Sequence, residues 1–138
     1  MEKYNLKEDL KVFGIQVKSF PNGIGNAFDE LIKKTGNCAG ERNYYGISTM
    51  KNGTIFYVAT AEEKHEGEAA KYNCEEYTIE KGEYLTVTVA GWQQKTDTIK
   101  DVFSEMMQDA RVDKAKPAVE WYKDEHEMLC MLSIIINM

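Results

Sequence analysis

Ile24-Gly25-Asn26-Ala27-Phe28-Asp29-Glu30-Leu31-Ile32 decides the fold, because its pattern occurs twice. Its apolar residues Ile24, Ala27, Phe28, Leu31 and Ile32 fall at offsets 0, 3, 4, 7 and 8. Ile99, Val102, Phe103, Met106 and Met107 fall at the same offsets, 75 positions later (99 − 24 = 75). Side chains three and four apart share one face of a helix. Each segment therefore predicts an amphipathic helix with one apolar stripe to bury.

The neighbours of the two helices repeat as well. Phe13, Ile15 and Val17 alternate with polar or small residues, as a half-buried strand does. Leu85, Val87 and Val89 do the same, 72 positions later (85 − 13 = 72). Pro21-Asn22-Gly23 breaks the first strand, and Gly91 the second. The first helix runs to about Lys34 and ends at Thr35-Gly36-Asn37, while Thr96 or Asp97 can cap the second. Tyr44 to Met50 and Thr54 to Ala59 read as a hairpin around Lys51-Asn52-Gly53. Ala118 to Tyr122 and Met128 to Ile136 form the matching pair around Lys123-Asp124-Glu125, aligned at 128 − 55 = 73. Residues 61 to 73 are charged and read as an exposed connector, and Tyr77 to Ile79 as an extra strand segment.

Each half is thus strand–helix–strand–strand. An amphipathic helix must cover a sheet face, so the expected fold is α+β. Its duplicated unit builds a pseudo-twofold antiparallel sheet with two helices packed on one face. Residues 1–138 form one domain, with repeat one at about 1–62 and repeat two at about 74–138.

Composition narrows the function. The net charge is 17 − 23 = −6, which disfavours a nucleic-acid or anionic-membrane surface. Cys38, Cys74 and Cys130 are scattered and odd in number, as expected of reduced thiols in a cytoplasm. The longest apolar run, around Ile134 to Ile136, is too short to span a bilayer. His65 and His126 sit in polar connectors without a cysteine set at ligand spacing, so no metal site is expected. Gly23-Ile24-Gly25 precedes a helix, but Phe28 stands where a dinucleotide fingerprint needs its third glycine. No Gly-x-Ser-x-Gly nucleophile is present and no cofactor is called for. The Glu62-Glu63 and Glu75-Glu76 pairs read as solvated faces.

Glu120 stands out. It interrupts Ala118-Val119-Glu120-Trp121-Tyr122, an otherwise apolar and aromatic run. On a strand it shares a face with Ala118 and Tyr122, while Val119 and Trp121 face the other way. Facing inward, it is a desolvated carboxylate that a cationic ligand would compensate, with aromatic rings adding cation–π attraction. The plain alternative is an outward glutamate paired with a lysine. Aligned by the hairpin offset, Glu120 sits opposite Ile47 (120 − 73 = 47), a carboxylate where the other half has an apolar side chain.

Ile79-Glu80-Lys81-Gly82-Glu83-Tyr84, Tyr45-Gly46-Ile47 and Glu120-Trp121-Tyr122, in this order, resemble the gyrase-inhibitor-like (GyrI-like) effector-binding domain of AraC-type and MerR-type bacterial regulators. The resemblance covers nearly the whole chain. It implies a ligand cleft between the halves, on the sheet side away from the helices. It also implies that Glu120 supplies the family's cation-meeting carboxylate beside Tyr122. Tyr45 would face Glu120 across the pseudo-twofold axis, and Trp92 would stand at the cleft rim. The chain departs from the family in lacking a proline near its end and a helix-turn-helix, so it reads as a stand-alone, cytoplasmic binder without direct DNA contact. Three functions follow as expectations. The first is binding of a small, cationic, aromatic molecule. The second is hydrolysis of a strained electrophile with Glu120 as general base. The third is a protein partner, gyrase, met through the acidic surface.

Overall fold

The structure is a computed structural model, and it describes residues 2–17, 23–35, 42–123 and 126–135. Cys38, the Pro21-Asn22 break, the Gly36-Asn37 helix stop, the Asp124-Glu125 turn and the final Ile136-Asn137-Met138 lie outside the described residues.

Eight strands form one antiparallel sheet: β1 (Glu2–Leu6), β2 (Leu10–Val17), β3 (Tyr44–Lys51), β4 (Thr54–Glu62), β5 (Glu75–Ile79), β6 (Gly82–Ala90), β7 (Ala118–Tyr122) and β8 (Glu127–Ser133). The helices are α1 (Ile24–Thr35), α2 (Glu68–Lys71) and α3 (Thr96–Met106). The spatial order is β1-β6-β8-β7-β3-β4-β2-β5. That order is palindromic: exchanging each strand for its repeat partner returns the same sheet, with the β7–β3 pair at its centre. The duplicated α+β architecture read from the sequence is therefore the architecture found.

The outer strands add something the sequence reading caught only in part, as the extra segment Tyr77 to Ile79 within β5. Glu2–Leu6 and Glu75–Ile79 correspond at a separation of 73 (75 − 2) and share one burial pattern, exposed at the start and buried at the last residue. Yet β1 pairs with β6 of the other half, and β5 with β2. Each copy lends its first strand to its partner, so the halves interlock through backbone hydrogen bonds as well as through the central pair.

Alternation sorts the side chains to two faces. The helix-bearing face carries Phe13, Ala59, Ala61 and Tyr57 under α1, which contributes Ala27 and Leu31. It carries Leu85, Val89, Met128, Cys130 and Leu132 under α3, which contributes Ile99 and Met106. The two stripes read from the sequence are thus the two buried helix faces. The opposite, concave face holds its own core of Leu6, Val12, Tyr45, Ile47, Ile79, Tyr84, Val119 and Met131.

Three local expectations are corrected. Residues 61 to 73 are not a plain exposed connector. They contain α2, whose Ala69 packs against Phe13 and Leu31. Its buried Glu68 accepts two hydrogen bonds from Arg42, at 2.9 and 2.8 Å, and others from the backbone N–H groups of Lys64 and His65. Glu62 and Glu63 are half-buried, whereas Glu75 and Glu76 are exposed as expected. The N-cap of α3 is Lys95, one residue before the caps expected at Thr96 or Asp97, and it has no side-chain cap.

Candidate functional site

Because α1 packs on β2 and β4, and α3 on β6 and β8, the central pair β3–β7 runs beneath the space between the helices. One row of paired residues crosses the six inner strands there: Ile15, Ala59, Gly46, Glu120, Cys130 and Val87. Paired residues point to the same face, so this row faces the helices. The row is itself symmetric. Ile15 corresponds to Val87 (87 − 15 = 72) and Ala59 to Cys130 (130 − 59 = 71). Gly46 is then the counterpart of Glu120 (120 − 46 = 74), directly across the pseudo-twofold axis.

This corrects the sequence alignment, which set Glu120 against Ile47. The spacing between copies is not constant: it runs 72, 71 and 74 along three successive strands. A one-residue slip on a strand moves every side chain to the other face. Ile47 accordingly lies in the concave core, paired with Val119.

Gly46 explains how the carboxylate fits. A Cβ there would lie 2.0 Å from the Tyr57 hydroxyl oxygen and 2.4 Å from Glu120 Oε1. The volume a side chain would fill is taken by the hydrogen bond that the Tyr57 hydroxyl donates to Glu120 Oε1, at 2.5 Å. Tyr122 donates its own hydroxyl to the same oxygen at 2.9 Å. Both donors converge on Oε1, and no side chain among the described residues bonds Oε2. Tyr57 is 1% exposed and packed with Val17, Ala27 and Ala59, so its hydroxyl has little freedom to leave.

Aromatic rings wall the space above. Phe28 of α1 meets Tyr122 edge-on with ring centres 5.2 Å apart. Trp92, in the turn before α3, lies 4.9 Å from Tyr122 on the other side. Gly91 introduces that turn with φ 65°, a left-handed backbone that glycine adopts without strain. Helix α1 of one half and the turn leading into α3 of the other thus each lend a ring to the seam between them.

The electrostatics follow from burial. Desolvation raises the Glu120 carboxyl pKa, while the hydrogen bonds from Tyr57 and Tyr122 pull it back down. Burial, with the neighbouring Glu120 charge, holds both tyrosine hydroxyls protonated far beyond their usual range. The Cys130 thiol is pushed up to about 12 by burial and then by Glu120, so it stays an inert thiol. Among the described residues no lysine, arginine or histidine forms an ion pair with Glu120.

The structure brings together three of the four residues singled out from sequence: Glu120, Tyr122 and Trp92. Tyr45 is not among them. It sits on the concave face, its ring 6.2 Å from that of Trp121, and it faces away from Glu120. That face does hold a shallow apolar depression, lined by Tyr4, Leu6, Tyr45, Ile79, Val119 and Trp121 among others. Glu120 does not line it, because β7 turns Val119 and Trp121 to that side and Glu120 to the helices. The residues missed were Tyr57, Phe28 and Gly46. The first two sit on regular apolar periods and look like plain core. Only the cross-strand register could have exposed their part.

No family model and no curated protein matches this sequence. Solved structures do. An integron cassette protein from the mobile metagenome of Vibrio cholerae superposes with a TM-score of 0.73 at 14% identity, covering 97% of this chain and 95% of its own. The structure of SAV2435 bound to tetraphenylphosphonium gives 0.65 at 16% identity, over 98% and 94% of the two chains. A candidate transcription regulation protein from Staphylococcus aureus MU50 gives 0.64 at 14%, over 96% of each. At these identities the likeness is one of fold. The chain has the GyrI-like fold that its short motifs suggested.

Proposed function

We propose that this protein binds small apolar cations in the groove between α1 and α3. Glu120 is the counter-charge, and Phe28, Trp92 and Tyr122 are the aromatic walls. One observation carries the reading: a desolvated carboxylate, fixed by two tyrosine hydroxyls, has no cation paired with it among the described residues. Burying an unpaired carboxylate costs free energy. A ligand that brings the missing charge recovers that cost. At about 4 Å and an effective dielectric near 20, the charge pair contributes roughly 4 kcal/mol before desolvation of the ligand. Ring faces around the cation add about 0.5–2 kcal/mol. The neighbour bound to tetraphenylphosphonium supports the same chemistry, an aromatic cation on this fold.

The test is a titration of tetraphenylphosphonium into wild type and Glu120→Gln, followed by tryptophan fluorescence. Gln keeps the shape and removes the charge, so affinity should fall at least tenfold, the equivalent of about 1.4 kcal/mol. Equal affinities would sink the proposal. Consumption of a reactive ligand by wild type, lost in Glu120→Gln, would replace binding with the hydrolytic reading.

A further inference from the structure

The helix-bearing face does not stop at the Glu120 carboxylate. Its floor continues along the central strands toward the β3–β4 hairpin. The next row on the same face pairs Ser48 with Ala118 and with Tyr57. Ser48 and Ala118 are half-buried and, after Gly46, are the second and third small residues on this floor. One further row along, Met50 pairs with Ile55. Both side chains are out in solvent, Met50 at 68% and Ile55 at 41% exposure. They share the face of Gly46 and Tyr57, because side chains two apart on a strand point the same way.

A carboxylate, two small side chains and an exposed apolar pair thus lie in line on one face, and that line is the track a ligand would follow. The Glu120 row and the Met50 row are four residues apart, which is about 13 Å at the usual strand rise. An extended alkyl chain of about ten carbons spans that length. A solvent-exposed Met–Ile pair has apolar surface to cover, and an apolar chain lying on it would be sheltered from water on one side. Phe56, 38% exposed on the same hairpin, points to the opposite face and lies off the track.

We propose that the preferred ligands are elongated amphiphiles, with a cationic head at Glu120 and an apolar tail laid over Ser48 and Ala118 to the Met50–Ile55 pair. This rests on the cation-binding reading above and adds a chain-length specificity to it.

The probes are hexyl-, octyl- and decyltrimethylammonium at monomeric concentrations, with tetraphenylphosphonium as the compact reference. Wild-type affinity should climb with chain length, by up to about fourfold for each methylene fully buried. Met50→Ser/Ile55→Ser changes exposed side chains only. It should cut decyltrimethylammonium affinity at least tenfold and leave tetraphenylphosphonium affinity unchanged. Phe56→Ser, on the other face, should leave the whole series as in wild type. An unchanged chain-length dependence in the double variant would overturn the tail site, as would an equal loss in Phe56→Ser. A flat series in wild type, with Glu120-dependent tetraphenylphosphonium binding intact, overturns only the tail site. Failure of wild type to bind any of these cations overturns the cation site beneath it as well.

Discussion

Replacing Gly46 by alanine adds one methyl group to a position with no room for it. The backbone does not object, since Gly46 is not among the glycines at positive φ. The whole penalty is contact. The new carbon would sit 2.0 Å from the Tyr57 oxygen, 2.4 Å from Glu120 Oε1 and 2.6 Å from Tyr57 Cζ. Tyr57 is buried and hemmed in by Val17, Ala27 and Ala59, so the ring cannot simply swing aside. Overpacking of this kind costs about 1–3 kcal/mol. Pushing Tyr57 off Glu120 also breaks a hydrogen bond to a charged group, worth about 1.5–3 kcal/mol. The two effects share one displacement, so about 3–5 kcal/mol is a fair sum, a large part of the roughly 5–15 kcal/mol that holds a domain folded. At roughly 3–4 °C per kcal/mol for a chain of this size, the melting temperature should fall by about 10–20 °C. Thermal and urea denaturation measure it directly. Tyr57→Phe removes the oxygen in the closest contact, so Gly46→Ala/Tyr57→Phe should lose less stability than the two single changes added together. A coupling of about 1 kcal/mol or more in that double-mutant cycle is expected. A Gly46→Ala protein that melts within about 2 °C of wild type would refute the claim that the carboxylate pocket is built on a missing side chain, and so would strict additivity.

Four further outcomes follow. Tyr57→Phe alone removes a donor that favours the charged carboxyl, so the Glu120 pKa should rise further, seen as an upward shift in the pH midpoint of tetraphenylphosphonium binding. Because that pKa lies above its ordinary 4.5 in the folded state, the bound proton stabilises the fold at low pH. This contribution is lost as pH rises past that value, so urea midpoints should show Glu120→Gln gaining on wild type between pH 4 and pH 8. Glu68 behaves oppositely. The Arg42 guanidinium and the backbone N–H groups hold its carboxyl down to about 2. Its contribution is complete above about 4.5 and disappears as pH falls toward 2, and Arg42→Ala should cost about 3–5 kcal/mol at neutral pH by stranding a buried charge. Gly25→Ala is the counter-example to Gly46: nothing lies within 4 Å of its would-be Cβ, and it sits in α1, so the change should stabilise by up to about 0.5–1 kcal/mol through helix propensity.

Much of this fold is legible in the chain because its two long helices and six inner strands follow strong periods. Ile24 to Ile32 and Ile99 to Met107 can only be amphipathic helices, and Phe13-Ile15-Val17 can only be a half-buried strand. β1 escaped because Glu2-Lys3-Tyr4-Asn5-Leu6 has two apolar residues and four of its five side chains stay at least partly in water. It is held at the sheet edge by its partner strand rather than by its own pattern. α2 escaped because four residues carry no period, and what fixes them is a distant arginine. At the site, Glu120 betrayed itself by breaking an apolar run, and the parity of β7 placed Tyr122 beside it. What the chain could not supply was register. The repeat offset drifts by one to three residues from strand to strand, enough to exchange Ile47 for Gly46 and to turn Tyr45 toward the wrong face. Tyr57 stayed hidden because a buried tyrosine on an alternating strand looks like core until its hydroxyl is seen to end on a carboxylate.

The central claim is one of side: the cation site lies on the helix-bearing face, at Glu120, and not in the apolar depression of the concave face. A crystal structure of the protein grown with tetraphenylphosphonium tests it most directly. The account predicts ligand density between Phe28, Trp92 and Tyr122, with the phosphonium centre over Glu120 Oε2. Density lodged instead among Tyr4, Tyr45 and Trp121, with the space above Glu120 empty, would contradict it.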